Sequence, residues 1–188
     1  MIKIISPNQF KTIAWKNGKG QTTELAISEN GTLDNFNWRL SIASVIEDGL
    51  FSDFSGFERN LILLEGQGIK LIHDDKQIDL LDKPLSISSF NGASKTVGIL
   101  IDGQIKDFNL MTKQGKYKVE INTFIEHTDF HIKPKDLSFV YSHNTNMIIK
   151  SDSELLEIPC KHLVFLKSDS KVKISGKGLV VINLTNQR

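Results

Sequence analysis

The sequence predicts an all-β protein, a sandwich or barrel built from many short strands. Short runs rich in β-branched residues alternate with turn residues at regular spacing, and no stretch of helix length shows a sustained 3.6-residue apolar period. This combination is typical of sandwiches and barrels. The clearest runs that we predict as strands are 22–28, 38–45, 60–65, 69–73, 117–122, 137–142, 147–150, 162–166, 172–175 and 179–184.

A faint internal repeat suggests that the chain has two similar halves. Residues 69–87 and 147–165 both contain a strand, an acidic turn, a strand, a proline and a strand, in that order. Any two hairpin segments share part of this pattern, so a chance likeness is the other interpretation. No low-complexity segment or clear linker separates the halves, and we expect them to pack together.

Charge and composition argue against nucleic-acid and membrane partners. The net charge is +1 and the sequence pI about 7.8, which predicts no nucleic-acid partner. No apolar run approaches the roughly 18 residues of a membrane helix, and the N-terminus lacks the features of a signal peptide, so we expect no membrane partner. The one cysteine, Cys160, excludes an intramolecular disulfide. These features suit a cytoplasmic protein.

The segment 15–24 contains a glycine-rich turn just before a predicted strand. Backbone N–H groups in such a turn can bind an anion, and Lys16 and Asn17 add further donors. The segment is not a phosphate-binding loop, because the Gly-Lys-Ser/Thr ending and the following helix are both missing. A tight connection with an exposed lysine is the alternative interpretation.

The predicted strand 38–45 carries a candidate carboxylate clamp. Arg39 and Ser41 alternate with Trp38, Leu40 and Ile42 and therefore lie on the opposite face of the strand. An arginine in the mouth of a barrel suits a carboxylate, since its guanidinium donates two parallel hydrogen bonds. Pairing of Arg39 with a protein carboxylate such as Glu24 is the alternative, and the alternation alone leaves both open.

Two further segments can contribute to a pocket. The segment 47–59 carries three phenylalanines among polar turn residues, and exposing three rings is unfavourable, so we expect a partly buried loop that forms a wall or lid. In the segment 107–111, alternation places Asp107, Asn109 and Met111 on one face. Asp107 and Asn109 either line a pocket or belong to a strand end with a capping aspartate.

The sequence predicts neither a metal site nor a cysteine nucleophile. There is no His-x-His motif, and the nearest pair of histidines is His127 and His131, whereas a catalytic metal needs about three converging ligands. Cys160 lies two residues before His162, but an inert packed thiol is the favoured interpretation. We therefore predict no metal and no other cofactor.

Taken together, these segments resemble the HutD/Ves family in order and spacing over roughly residues 15–111. Lys19 and Ser55 depart from the family pattern, where glycine and proline are frequent. The matching motifs are Trp15-Lys16-Asn17, Gly20, Thr22 and Glu24, Trp38-Arg39, Ser41-Ile42-Ala43, Gly49-Leu50-Phe51-Ser52-Asp53-Phe54-Ser55-Gly56, Glu58-Arg59, Leu63-Leu64-Glu65-Gly66 and Asp107-Phe108-Asn109-Leu110-Met111.

The resemblance implies a bicupin, two small cupin-like barrels in one protein, here at approximately 1–111 and 112–188. It implies no established enzymatic activity. Some family members are encoded with histidine-degradation genes and are thought to bind a pathway intermediate, with formylglutamate a candidate, whereas others look stress-associated. We therefore expect a regulatory role in histidine utilisation or stress.

We conclude from the sequence that the protein is a binder of a small carboxylate metabolite and works without a metal. An acid–base enzyme of the cupin type, an isomerase or hydrolase with Glu24, Asp48 or Asp107 as base, is the alternative. A third class is an interaction protein, and the oligomeric state stays open, with a homodimer one alternative. The predicted ligand-binding residues are Lys16, Asn17, Arg39, Ser41, Arg59 and Asn109.

Overall fold

A computed structural model describes residues 1–16, 18, 20–152, 154–167 and 171–187. No α-helix occurs in these ranges, which confirms the all-β prediction, and none of their helical segments is long and apolar enough to span a membrane. A 3-10 turn covers Pro7–Gln9. The strands are β1 (Ile2–Ile5), β2 (Lys11–Ala14), β3 (Gly20–Ile27), β4 (Trp38–Val45), β5 (Gly49–Leu50), β6 (Phe57–Glu65), β7 (Ile69–His73), β8 (Gln77–Leu81), β9 (Ile87–Asn91), β10 (Thr96–Leu100), β11 (Ile105–Lys113), β12 (Tyr117–Phe124), β13 (Thr128–Ile132), β14 (Leu137–Ser142), β15 (Met147–Lys150), β16 (Leu155–Ile158), β17 (Leu163–Leu166), β18 (Val172–Gly176) and β19 (Leu179–Asn186).

The chain divides into two compact units. The N-terminal unit is Phe10–Lys116, and the C-terminal unit combines Met1–Gln9 with Tyr117–Arg188. These bounds differ from the expected 1–111 and 112–188 in two ways. Strand β1 pairs with β17 and so belongs to the C-terminal unit, and the expected boundary falls inside β11. The partner of β1 is distant in the chain, which a local sequence pattern does not reveal.

Each unit consists of two antiparallel sheets. The N-terminal unit has a six-stranded sheet, β2-β3-β4-β11-β6-β9, and a four-stranded sheet, β5-β10-β7-β8. The C-terminal unit has a five-stranded sheet, β1-β17-β14-β19-β12, and a four-stranded sheet, β13-β18-β15-β16. The order β4-β11-β6-β9 in the first unit matches β12-β19-β14-β17 in the second, and the two small sheets match throughout. The repeat seen in the sequence therefore corresponds to a shared topology.

The core of each unit consists of apolar side chains from both of its sheets. In the N-terminal unit, Leu61 and Leu63 of β6 share a cluster with Ile69 and Leu71 of β7. A corresponding cluster in the C-terminal unit includes Val140 and Ile149. Each such side chain contributes about 1.5–3 kcal/mol when fully buried, so these clusters hold the sheets together.

A polar cluster joins the edge strands β8 and β9 of the N-terminal unit. The Ser88 hydroxyl donates to Oδ2 of Asp79 over 2.5 Å, and Nδ1 of the buried His73 lies 2.9 Å from the Thr96 hydroxyl. Nε2 of His73 lies 3.5 Å from the Asp79 carboxylate, an electrostatic contact longer than a normal hydrogen bond. Since β8 and β9 belong to different sheets, the contact between Ser88 and Asp79 connects the two sheet edges.

Asp79→Asn should make the protein less sensitive to acid. Burial raises the pKa of Asp79, but hydrogen bonds from Ser88 and Gln77, together with the nearby His73, outweigh it and leave the pKa below 3.8. A pKa depressed by folding contributes stability above about pH 4, which is lost as the pH falls through the folded-state value. We expect Asp79→Asn to cost about 1 kcal/mol at pH 7 and to lose less stability on going from pH 5 to pH 3.

Denaturant unfolding at pH 7, pH 5 and pH 3 measures the free energy of unfolding of the wild type and of Asp79→Asn. The control is Asp82→Asn, at an exposed position just after β8. An Asp79→Asn protein with the wild-type acid response would show that this carboxylate does not stabilise the folded state.

Candidate functional site

The N-terminal unit contains a pocket of about 470 Å³. Its floor is the face of the six-stranded sheet that also carries the core cluster of the N-terminal unit. Its walls come from residues 13–16 and 50–54. Both polar and aromatic side chains line it, as is usual in sites for small molecules.

The strand register brings two arginines to the floor of the pocket. Met111 of β11 lies directly opposite Arg39 of β4 on one side and Arg59 of β6 on the other. Because cross-strand partners point to the same face of a sheet, the Arg39 and Arg59 side chains lie on one face, with Met111 between them on the central strand. Two residues along β11, Asn109 lies opposite Ser41, and both also line the pocket.

The guanidinium of Arg39 is held by Glu24. The Arg39 residue is 5% exposed, and its Nε donates to Oε2 of Glu24 over 2.7 Å. Glu24 lies on the neighbouring strand β3, next to a register shift in the β3–β4 pairing. The structure thus shows the pairing with Glu24 that the sequence left open, and the pair fixes the orientation of the Arg39 guanidinium at the pocket.

Arg59 is buried in an aromatic cage. Its Cζ lies 5.3 Å, 5.4 Å and 5.1 Å from the ring centroids of Phe51, Phe54 and Phe90. Nη2 donates to Oδ1 of Asn109 over 3.2 Å, but Nε has no hydrogen-bond partner among the described residues. Burial lowers the pKa of Arg59 to about 10, Asp107 opposes this and Arg39 adds to it. Arg59 therefore keeps its positive charge at neutral pH.

Asp107 is the buried carboxyl group of the pocket. The residue is 1% exposed, and its Oδ1 accepts a hydrogen bond from Nδ2 of Asn109. Its Oδ2 has no hydrogen-bond partner within the described part of the chain. Burial raises the pKa of Asp107 to about 7, against the opposing effects of Arg59 and of the Asn109 hydrogen bond. Burial thus brings the protonation of Asp107 close to neutral pH.

The phenylalanine-rich loop forms one wall of the pocket, as the sequence predicts. Phe51 and Phe54 are half-buried against Arg59, while the Phe57 ring stacks on Phe36 with centroids 4.2 Å apart. Gly92 anchors this loop through its backbone. It accepts a hydrogen bond from the Phe54 N–H over 2.9 Å, and its own N–H donates to the Phe57 carbonyl over 2.8 Å.

Gly92→Ala should displace this wall. A Cβ atom at position 92 would lie 2.3 Å from the Phe54 carbonyl oxygen, and both groups belong to the backbone, so the loop itself must shift. We expect a loss of about 2 kcal/mol in the free energy of unfolding, as for overpacked sites, and weaker binding of any ligand that contacts Arg59. Chemical denaturation measures the first effect, with Ala93→Ser at the exposed neighbouring position as control. A wild-type unfolding curve for Gly92→Ala would contradict this account.

The structure places five of the six predicted ligand-binding residues around one pocket. Lys16 is exposed, and the other four line the floor. Asn17 lies outside the described residues. The five placed residues are Lys16, Arg39, Ser41, Arg59 and Asn109.

The three candidate bases of the enzymatic alternative have separate positions. Asp107 lines the pocket and Glu24 pairs with Arg39, whereas the Asp48 carboxylate accepts a hydrogen bond from the Leu100 backbone N–H over 2.8 Å.

Phe90 is a site residue that sequence reasoning missed. It contacts Arg59 because the two are partners in the β6–β9 pairing, and no local pattern reveals that register.

The histidines and the cysteine lie in the C-terminal unit or in the polar cluster described above. Within the described ranges, no three His, Cys, Asp or Glu side chains are grouped as metal ligands. His127 lies with Nε2 3.4 Å from the Ser175 hydroxyl, and His131 is exposed on β13. Nδ1 of His162 lies 3.1 Å from the backbone carbonyl oxygen of Cys160.

Comparison with known proteins finds a matching family model and similar curated proteins. The HutD family model matches residues 7–182. An uncharacterised 21.2 kDa protein in the hutC 3' region of Pseudomonas putida is 34% identical over 123 residues, 65% of this chain and 64% of that protein. Protein Ves of Escherichia fergusonii is 39% identical over 108 residues, 57% of this chain and 56% of that protein. The matches thus span less than two thirds of these curated relatives.

Solved structures agree with the cupin-like fold that the family resemblance implies. HutD from Pseudomonas fluorescens SBW25, solved in a formate condition, superposes with a TM-score of 0.82 at 28% identity and covers 100% of both chains. A bacterial pirin from Escherichia coli and an oxalate decarboxylase from Lactobacillus farciminis share the fold at TM-scores of 0.69 and 0.62, each with 8% identity.

Proposed function

The chain belongs to the HutD family, and we propose that it binds a small carboxylate metabolite in the pocket of the N-terminal unit. The observation that carries this proposal is the pair of buried arginines, Arg39 and Arg59, on either side of Met111. A buried guanidinium without a full set of acceptors is costly, and a carboxylate relieves that cost through paired, charge-assisted hydrogen bonds.

The rest of the lining favours a ligand with a second polar end. The apolar side chains of Trp15, Phe51 and Phe54 suit a short carbon chain between that end and the arginines. At the exposed side of the pocket, Lys16 offers a cation to a second carboxylate. A dicarboxylate of the formylglutamate type meets both requirements. In this proposal, Arg39, Arg59, Ser41 and Asn109 bind its buried carboxylate.

The names of two relatives motivate the ligand class and the regulatory role that we propose. One curated relative is named for its position in the hutC 3' region, and a solved HutD was obtained in a formate condition. Formate is the smallest carboxylate. We propose that ligand binding serves regulation in histidine utilisation or in stress, with the metabolite as the signal.

Calorimetric titration of the purified protein tests the binding function. The ligands are formate, glutarate and N-formylglutamate, with the uncharged diamide of glutarate as the matched control. We expect affinity to increase from formate to the dicarboxylates, because only the latter reach Lys16 as well as the arginines, and we expect the diamide not to bind. Equal binding of glutarate and its diamide would show that the pocket does not recognise carboxylates.

Asp107 favours one alternative function, an enzyme that uses this carboxyl group for acid–base catalysis on the bound metabolite. A carboxyl group with a pKa of about 7 that lines a ligand pocket can both take and give a proton at neutral pH. NMR spectra of each ligand, recorded with the protein in D₂O, detect turnover or C–H exchange. Spectra that stay unchanged over many hours would favour the binding protein.

A further inference from the structure

The charged side chains on the floor of the pocket form two sets. One set is neutral, and the net charge of the other depends on the protonation of Asp107. Arg39 of β4 pairs with Glu24 of β3, and this set is neutral by itself. Arg59 of β6 and Asp107 of β11 form the second set, in which Asn109 accepts a hydrogen bond from Arg59 and donates one to Asp107. Lys16 is exposed. The lining residues of the loop after β5, Phe51, Ser52 and Phe54, carry no charge.

The second set can accept an anion in only one of its protonation states. With Asp107 ionised, Arg59 is already balanced and a ligand carboxylate would add an uncompensated negative charge to a buried site. With Asp107 protonated, Arg59 leaves one positive charge, which one carboxylate neutralises. Burial of uncompensated charge is strongly unfavourable, so the two states must differ in their affinity for a carboxylate.

The geometry at Asp107 provides a place for the proton. Oδ1 is occupied by the Asn109 amide, whereas Oδ2 has no hydrogen-bond partner in the residues that the structure describes. Protonation at Oδ2 therefore removes the charge without breaking the Asn109 hydrogen bond. The Asn109 amide keeps its orientation, and its Oδ1 continues to accept from Arg59.

We propose that the pocket binds a carboxylate together with one proton, which Asp107 accepts at Oδ2 from solvent. An O–H bond forms on Asp107, and no bond of the ligand breaks. The inference rests on the proposed carboxylate-binding function. It adds that each carboxylate bound at the buried end of the pocket is accompanied by the uptake of one proton. The second carboxylate of a dicarboxylate must then stay near Lys16.

The pH dependence follows from the sign of this linkage. In the free protein the pKa of Asp107 is raised to about 7, chiefly by burial, and a bound anion raises it further. Affinity is then fully present below pH 7 and falls as the pH rises toward the pKa of the complex. For a pKa of the complex above 9, the affinity drops about fivefold from pH 7 to pH 8 and about fiftyfold from pH 7 to pH 9.

Calorimetry with glutarate, which is fully ionised above pH 7, tests the proposal. Titration at pH 7 in MOPS and in Tris, which differ in heat of ionisation, counts the protons taken up. We expect about half a proton per glutarate for the wild-type protein. Asp107→Asn, a neutral isostere, should show no uptake and an affinity nearly independent of pH. The control Asp102→Asn removes an exposed charge between β10 and β11 and should behave as wild type.

The outcomes separate this proposal from the binding function. Glutarate binding by the wild-type protein without proton uptake would overturn the proton-coupled mechanism and leave carboxylate binding intact. An Asp107→Asn protein that still takes up a proton would overturn it as well. Absence of binding at pH 6 would defeat the binding function and the inference together. The buffer comparison on the wild-type protein is decisive even if Asp107→Asn fails to fold.

Discussion

Arg59→Met should weaken carboxylate binding at least a hundredfold and leave the protein folded. Methionine fills the cage of Phe51, Phe54 and Phe90 with a side chain of similar length but no charge. Loss of one partner of a buried, hydrogen-bonded charge pair costs about 3–5 kcal/mol, so the affinity for glutarate should fall at least a hundredfold. Without Arg59, Asp107 becomes protonated at neutral pH and no unpaired charge remains in the core.

The matched control is Lys106→Met, which removes one cation from an exposed ion pair on the same sheet, 2.8 Å from Glu65. Calorimetry gives the affinities, and thermal unfolding shows whether each variant is folded. A folded Arg59→Met protein with wild-type affinity would exclude Arg59 from the binding site. An equal loss in Lys106→Met would mean that only the net charge of the protein matters.

Glu24→Ala should have the largest effect on stability. It leaves the Arg39 guanidinium, which is 5% exposed, without its carboxylate, and breaking a buried pair in this way costs about 3 kcal/mol. Glu24→Gln keeps an acceptor for Nε and should lose about half as much. Because a ligand carboxylate can replace the missing partner, glutarate should raise the unfolding temperature of Glu24→Ala more than that of the wild type.

Glu65→Ala serves as the control for this series. It breaks the exposed pair with Lys106, in which both side chains are about 40% exposed, and should cost less than 1 kcal/mol. If Glu24→Ala and Glu65→Ala were equally stable, the pair between Glu24 and Arg39 would contribute no more than a surface contact. If glutarate failed to rescue Glu24→Ala, Arg39 would have a structural role alone.

The fold could be predicted largely from the sequence because most strands have one buried face. In β7 and β18, buried residues alternate with more exposed ones, which records that face directly. Strand β2 is exposed at every residue and β5 has two residues, so neither carries an apolar period. Strand β1 shows no strict alternation of buried and exposed residues, and its pairing with β17 depends on a contact across almost the whole chain.

The candidate site could be predicted only in part. Alternation placed Arg39 and Ser41 on one face, and it placed Asp107 and Asn109 on one face of their strand. That Arg39 and Arg59 flank Met111 depends on the sheet order, in which β11 inserts between β4 and β6. The protonation state of Asp107 depends on burial, which no local sequence pattern records.

A crystal structure with glutarate, at a concentration near its dissociation constant in solution, tests the central claim most directly. We predict one carboxylate within hydrogen-bond distance of the guanidinium groups of both Arg39 and Arg59, beside Met111, and the other directed toward Lys16. Glutarate bound elsewhere would contradict the account, as would a pocket in which Arg59 keeps only its hydrogen bonds to Asn109 and the Ser52 carbonyl.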